Sequence, residues 1–491
     1  MRQPAWRQVR RRVEVISLRW HARLDSDWAD RSLPWILAGG LFVLLTGLAL
    51  ARNRMLVHGV DLADYTQAAW NLGQGEPAEM TVRDAQLLEM HGSLAFYGMA
   101  WVTRLLPIQT TLLVAQALAL AYGVLPLWRL ARRVVLLRVG ATIALVVAYG
   151  LHPVLQNLNL SDFHPEALAV PALLAMSQRG LSGSTVRYAA AAAAAVAVRA
   201  DIALLVAAFG VMLVARGRRR AGVVTVAAAS AWVVASFHVA ALGAGNGYAV
   251  VTGAYAELGA GFWDVVGELV TNPLATLGRI VRRENFDLAL ELLLPVAFLP
   301  LLSARWLLVL SPWALLVALA DVPDEVRTTV LAAPMLPFVV VGATFGLGHL
   351  GRPTLERVSV SPRVIGALLL ASLTFTVAWS RASPYEHPWG WGGRDAADRA
   401  RLDAVERIDD DAVVQATDGL LALVARRPRI EVLASSEDLL EDEVDAVLLD
   451  VAAVPRDDPL LEGPPPGFTT AYSAEGVLLY LRPGAGQVQE R

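Results

Sequence analysis

The sequence predicts an α-helical polytopic membrane protein of about eleven transmembrane helices, twelve or thirteen if further short segments cross, with a small C-terminal α/β domain. Three observations predict it. Of 491 residues, 55% are hydrophobic and 18% charged, with a mean hydropathy of +0.48, whereas soluble domains carry about 25% charged residues. The apolar residues fall in runs near the ~20 residues that cross a bilayer core. The net charge of −3 also hides a split: residues 1–381 hold 23 acids and 32 arginines, and residues 382–491 hold 22 acids and 10 arginines. A basic, apolar body precedes an acidic, polar domain.

Composition narrows the chemistry. A chain this apolar is not disordered. It has no cysteine and no lysine, which excludes disulfides, thiol nucleophiles, Cys-ligated metals and Schiff-base chemistry. Asp, Glu, His and Arg are left. Nucleic acid is not an expected partner.

Residues 1–32 form an arginine-rich segment, with eight arginines before position 32. No small-residue cleavage site follows the apolar run 33–52, so it reads as a retained first span. Further candidate spans are 108–129, 138–157, 166–178, 186–199, 200–215, 221–242, 286–303, 305–321, 328–349 and 363–381. Arginine asymmetry sets the orientation. The N-terminus and the clusters Arg129–Arg138, Arg179–Arg187, Arg216–Arg220 and Arg352–Arg363 then lie in the cytoplasm. The acidic loop 53–90 and the C-terminal domain lie outside the cytoplasmic membrane. This count treats 91–106 as a juxtamembrane helix in the outer interface.

Domain boundaries follow: 1–32 cytoplasmic, 33–381 transmembrane with outer loop and juxtamembrane helices at 53–106, and 382–491 extracytoplasmic. In the last part DAVVQAT and DAVLLDV alternate with a helical stretch, and FTTAYSAEGVLLYLRP ends as a hairpin. No phosphate loop or catalytic constellation is visible there, so a lid or partner-binding role is expected.

On this topology the outer helix ends collect polar groups: Asp61, Asp64 and Gln67, then His91, then Asp162, His164 and Glu166 in DFHPE, then Arg199 with Asp201, then Arg282 and Arg327. Ionisable residues at membrane depth are functional candidates by default. Each also has a plainer reading. DLADYTQAAWN fits an amphipathic interfacial helix, Asp61 fits an N-cap, and Asp162 beside Pro165 fits helix capping. Arg199 and Asp201 fit a buried ion pair, and Arg282 or Arg327 fits either a phosphate ligand or a helix end. Asp61, His164 and Glu166 together could hold a divalent metal, Mg or Mn.

An outward carboxylate beside an arginine-lined, lipid-accessible cavity suits glycosyl transfer from a polyprenyl-phosphate sugar. The carboxylate takes the acceptor proton, while arginine or a metal stabilises the departing phosphate. The runs VDLADYTQAAWNLGQG, MHGSLAFYGMAWVTRLLPIQTTLLVAQALALAYGVLPLWRLARR, NLSDFHPEALAVPALL, VRADIALLVAAFG and TNPLATLGRIVRRENFDLALELLLPVAFLPLLSARWLLVLSPW carry a resemblance. So do IDDDAVVQAT, VDAVLLDV and GVLLYLRP near the C-terminus. Over roughly 57–480 the chain resembles a domain-of-unknown-function family of bacterial and archaeal multi-spanning predicted membrane proteins. That family is grouped with the GT-C glycosyltransferases, such as protein O-mannosyltransferases and aminoarabinose transferases. The resemblance implies a GT-C-like fold and an extracytoplasmic site in which Asp61 is the catalytic base and Asp64, one turn on, its alternative. The remaining polar residues would bind a polyprenyl-phosphate-linked sugar and a glycan or protein acceptor. A second expectation is a non-catalytic GT-C-like scaffold that binds lipid-linked glycan or organises envelope assembly. A transporter fits less well, because the polar residues crowd one face and no repeated half is visible.

Overall fold

Helix α1, Asp27–Arg54, carries aspartates in its first turn and arginines in its last, which opposes charge to each end of the helix dipole. It is the first of a mostly helical set in a computed structural model that describes residues 25, 27–242, 253–259, 262–354, 356–383, 392–440 and 442–483. The arginine-rich segment expected over 1–32 lies outside the described residues up to position 24, as does 384–391 at the start of the expected C-terminal domain.

Helix α2 (Val60–Gln74) follows α1 and leads into a two-strand ladder, β1 (Glu79–Met80) with β2 (Ala85–Gln86). Two short helices come next, α3 (Leu87–His91) and α4 (Leu94–Thr103). Ten residues of α4 extend about 15 Å, half a bilayer core. Helices α5 (Ile108–Tyr122) and α6 (Val124–Arg133) run nearly end to end. Gly123 separates them. The Tyr149 hydroxyl bonds Leu120 O at 2.7 Å and occupies the space that a Cβ on Gly123 would need.

The rest of the body comprises α7 (Val139–Gly150), α8 (Pro153–Leu160), α9 (Glu166–Ser182), α10 (Thr185–Val196), α11 (Ala203–Ala215), α12 (Arg219–Leu242), α13 (Phe262–Thr271), α14 (Pro273–Ile280), α15 (Arg283–Leu293), α16 (Arg305–Leu319), α17 (Leu336–Leu350) and α18 (Pro362–Trp379). A small hairpin, β3 (Arg352–Thr354) with β4 (Arg357–Ser359), precedes α18.

The expected count of eleven spans is not reached by length. Among the described residues three helical stretches are long and apolar enough to cross a membrane, Asp27–Arg54, Ile108–Arg133 and Pro362–Trp379, or up to five if each of two bent pairs is one span. The reasons are local. α10 has 12 residues, about 18 Å against a ~30 Å core. The apolar run 286–303 is interrupted after Leu293 by two tight turns at Pro295 and Pro300, and Ala297 and Phe298 between them take φ of 52° and 54°. Pro153, which has no N–H to donate, opens α8 after a 42° bend.

The C-terminal residues add α19 (Ala396–Val405) and a five-stranded sheet in the order β6-β5-β7-β9-β8. β5 (Val414–Ala416) pairs in parallel with β6 (Ile430–Val432) and β7 (Ala446–Asp450), while β9 (Val477–Leu481) is antiparallel to β7 and to β8 (Thr469–Ala474). Helix α20 (Asp418–Val424) connects β5 to β6. This unit shares one hydrophobic cluster with the first loop: Leu62, Ala63, Phe96 and Phe163 pack with Ala404, Leu420, Leu421 and Leu479. Tyr65 sits at 5.5 Å from Phe96 and edge-on at 5.2 Å from Phe163.

Candidate active site

The site is built at the start of α2. No side chain within α2 caps its N-terminus, so the four free N–H groups of the first turn need partners from elsewhere. Asp162 supplies two of them: its Oδ2 accepts from Gly59 N at 2.8 Å and Leu62 N at 3.3 Å. A Cβ at Gly59 would stand 3.1 Å from that oxygen, so glycine permits the close approach. Arg52 Nη1 donates to Asp162 Oδ1 at 3.2 Å, and His58 Nδ1 lies 3.9 Å from the same oxygen. Burial pushes the His58 imidazole down to about 4, against the opposing pull of Asp162, so it is neutral at neutral pH.

Asp61 and Asp64 are one turn apart on α2 and therefore share a face. Arg83, on the tight turn between β1 and β2, reaches both: Nη2 to Asp61 Oδ1 at 2.6 Å and Nε to Asp64 Oδ2 at 2.5 Å. The two carboxylates differ in exposure. The Asp64 side chain is 1% exposed and that of Asp61 37%. Burial pushes the Asp64 carboxyl up to about 6, with Arg83 pulling against it. His164 Nε2 lies 4.0 Å from Asp61 Oδ2. The DFHPE turn that carries His164 is held by Gln116 of α5, which accepts from His164 N at 2.8 Å and donates to Leu158 O and Asp162 O.

Glu166 and Asp201 form a second polar group around Arg199. Arg199 Nε and Nη2 grip Asp201 at 3.0 and 2.5 Å, and Nη1 binds Glu166. Tyr65 stands between the groups: after burial, Glu166 and Asp61 are the strongest influences raising its hydroxyl above the ordinary range.

Asp418, the first residue of α20, also faces this end. Val60 N–H donates to it, and partial desolvation with the charges of Asp162 and Asp61 raises its carboxyl.

Gln67 and Arg327 take partners other than Asp61. Gln67 is fully buried and joins two segments, donating to Thr81 Oγ1 at 2.9 Å and to the carbonyls of Arg427 and Pro428. His91 ends α3, and its side chain lies outside the described residues. Arg327 is buried and caps the end of α16, donating to Val317 O at 2.8 Å and Ala320 O at 3.0 Å, and also to Asn285 Oδ1 at 2.9 Å. It borders a cavity of about 580 Å³ with Arg282, Asp321 and Asp324. Glu325 and Arg381, an ion pair near that segment, are the next charges around Arg52 after Asp162.

The expected metal set of Asp61, His164 and Glu166 does not assemble. Glu166 is held by Arg199, and no three His, Asp or Glu among the described residues are grouped to hold an ion. Sequence reasoning also missed Arg52, His58, Arg83, Gln116 and Asp418. Only Gln116 carried a readable signal, a polar residue inside an apolar run.

Two solved structures share this arrangement of helices. ArnT from Cupriavidus metallidurans bound to undecaprenyl phosphate superposes with a TM-score of 0.55 at 11% identity, covering 91% of this chain and 98% of that one. The apo form of the same protein gives 0.52 at 10%, covering 91% and 97%. The chain therefore shares the fold of ArnT. No curated protein matches the sequence. The chain belongs to the family Predicted membrane protein (DUF2079), whose model matches residues 52–462.

Proposed function

We propose that the protein is a polyprenyl-phosphate-sugar-dependent glycosyltransferase acting at the outer face of the cytoplasmic membrane, with Asp61 as the base. The observation that carries this reading is the half-open Asp61 carboxylate, beside His164 and oriented by Arg83. Asp64, the alternative base, is buried against the same arginine and serves to hold it. The likeness to ArnT, solved with undecaprenyl phosphate, supports a lipid-phosphate donor.

The acceptor hydroxyl, on a glycan or protein, attacks the anomeric carbon from the side opposite the phosphate. The C–O bond to phosphate breaks, inverting the centre, and polyprenyl phosphate leaves with the bonding electrons. Asp61 takes the acceptor proton. Arg83 and Arg52 supply positive charge for the departing phosphate. The N-terminal segment 1–32 lies inside in this reading. The transmembrane part spans 33–381, and 382–491 covers the outer face.

One observation favours the scaffold reading, in which lipid-linked glycan is bound without turnover: Arg83 engages both aspartates at once. The test is transfer of a labelled sugar from a polyprenyl-linked donor in membranes. We expect Asp61→Asn to lower transfer by about 10²–10⁴-fold at unchanged expression. Undiminished transfer in Asp61→Asn and Asp64→Asn would reject the assignment of the base, and donor binding without any transfer by the native chain would establish the scaffold.

A further inference from the structure

The end of the molecule opposite Asp61 carries a different charge arrangement. Asp30 and Arg52 mark the two ends of α1 and are 22 residues apart, about 33 Å along a helix, the thickness of one bilayer core. Arg52 binds Asp162 beside the candidate site. Asp30 binds Arg132 of α6, which also binds Asp25 at 2.7 Å. The last turn of α6 therefore lies at the level of lipid headgroups on the far side of the membrane from Asp61.

At that level the fold pairs one arginine with two aspartates and leaves four others without an ion pair among the described residues. Arg132 is buried with its two aspartates, and Arg357 lies 3.7 Å from Asp30. Arg129 and Arg133, on the same helix, have no ion pair among the described residues. Neither has Arg179 at the end of α9 or Arg187 at the start of α10. Helix α9 packs against both α6 and α10, which brings the four together. The strongest charged or titratable influences on Arg129 are Tyr122, Arg179, Arg133 and Arg187. The turn that presents Arg179 and Arg187 is itself fastened by Arg218, which donates to Gly180 O and to Gly183 O.

We propose that Arg129, Arg133, Arg179 and Arg187 form a binding site for the phosphate headgroup of an anionic phospholipid. Four guanidiniums brought together with no ion pair among the described residues attract an anion, and each offers forked donors to phosphate oxygens. The surroundings favour a lipid as its source. Leu118 is 53% exposed, Tyr122 45% and Val186 81%, so apolar surface borders the cationic group where acyl chains run. The site is separate from the glycosyltransferase reading and stands or falls without it.

Native mass spectrometry of the full chain tests it, using detergent micelles supplemented with phosphatidylglycerol, cardiolipin or phosphatidylcholine. The native protein should retain phosphatidylglycerol and cardiolipin but not phosphatidylcholine. Arg129→Gln with Arg187→Gln should weaken retention roughly tenfold or more. Arg133→Gln with Arg179→Gln, the second pair, should do the same. Equal retention of phosphatidylcholine, or unchanged retention in both pairs, overturns the proposal. Displacement of the lipid by millimolar inorganic phosphate would show that the site is built for the free anion.

Discussion

Asp162 caps a helix 100 residues away from it in sequence: its Oδ2 receives Gly59 N at 2.8 Å, at the very start of the helix that carries Asp61 and Asp64. The same carboxylate is the ion partner of Arg52 and the neighbour of His58. Asp162→Ala removes the cap and leaves a mostly buried arginine unpaired. We predict a loss of about 2–4 kcal/mol, seen as a lower unfolding midpoint in detergent. Asp162→Asn keeps a cap acceptor and should lose less. Equal midpoints for Asp162→Ala and the native chain would show that the cap contributes nothing.

Asp64 makes stability depend on pH. Its carboxyl sits at about 6 in the folded chain, against an ordinary value of 3.8. Between those values the folded chain holds the proton that the unfolded chain has released. The contribution of Asp64 is thus fully present below about pH 4 and is lost as pH rises through about 6. Relative to Asp64→Asn, the native protein should become less stable from pH 4 to pH 7. Chemical unfolding of both proteins across that range measures it, and parallel curves would refute the assignment.

The sequence shows why part of this was legible and part was not. Apolar runs and the DLADYTQ and DFHPE motifs led to a membrane protein of GT-C fold. The spacing of Asp61 and Asp64 already placed them on one helical face. Helix length does not reach the count of eleven, because hydropathy sees 286–303 as continuous while tight turns at Pro295 and Pro300 interrupt the helix there. Asp162 was readable as a cap, but the helix it caps is α2, 100 residues earlier, and not α9 beside it. Arg83 sits on the turn between two two-residue strands, and its contact with α2 depends on tertiary packing. Asp418 reaches the site only because α20 docks on α2.

Arg83 bridges two carboxylates through different nitrogens, which a point charge cannot copy. Arg83→Lys should keep the charge but lose one of the two contacts, and Arg83→Gln should lose the charge as well. We predict a graded fall in sugar transfer, with lysine retaining part of the activity and glutamine close to none. Arg83→Gln should also move the Asp64 transition to higher pH, because the pull that now opposes burial is gone. Loss of transfer without that shift would separate a role toward substrate from the role toward Asp64.

Thr81 ties the first loop to the edge of the C-terminal sheet. Its hydroxyl donates to Ile430 O at 2.7 Å and accepts from Ile430 N at 3.0 Å, so β6 is covered where an edge strand would otherwise be open. Gln67 secures the same joint from α2, binding the carbonyls of Arg427 and Pro428. Thr81→Val keeps the shape and removes both bonds to Ile430, together with the acceptor of the Gln67 amide, at a cost of about 1–3 kcal/mol. Because Arg83 is two residues further along the same turn, loosening this joint should also loosen the grip on Asp61. Hydrogen exchange should therefore rise over 430–432 and at the start of α2 together. A rise confined to 430–432 would mean that the C-terminal sheet and the candidate site are held independently.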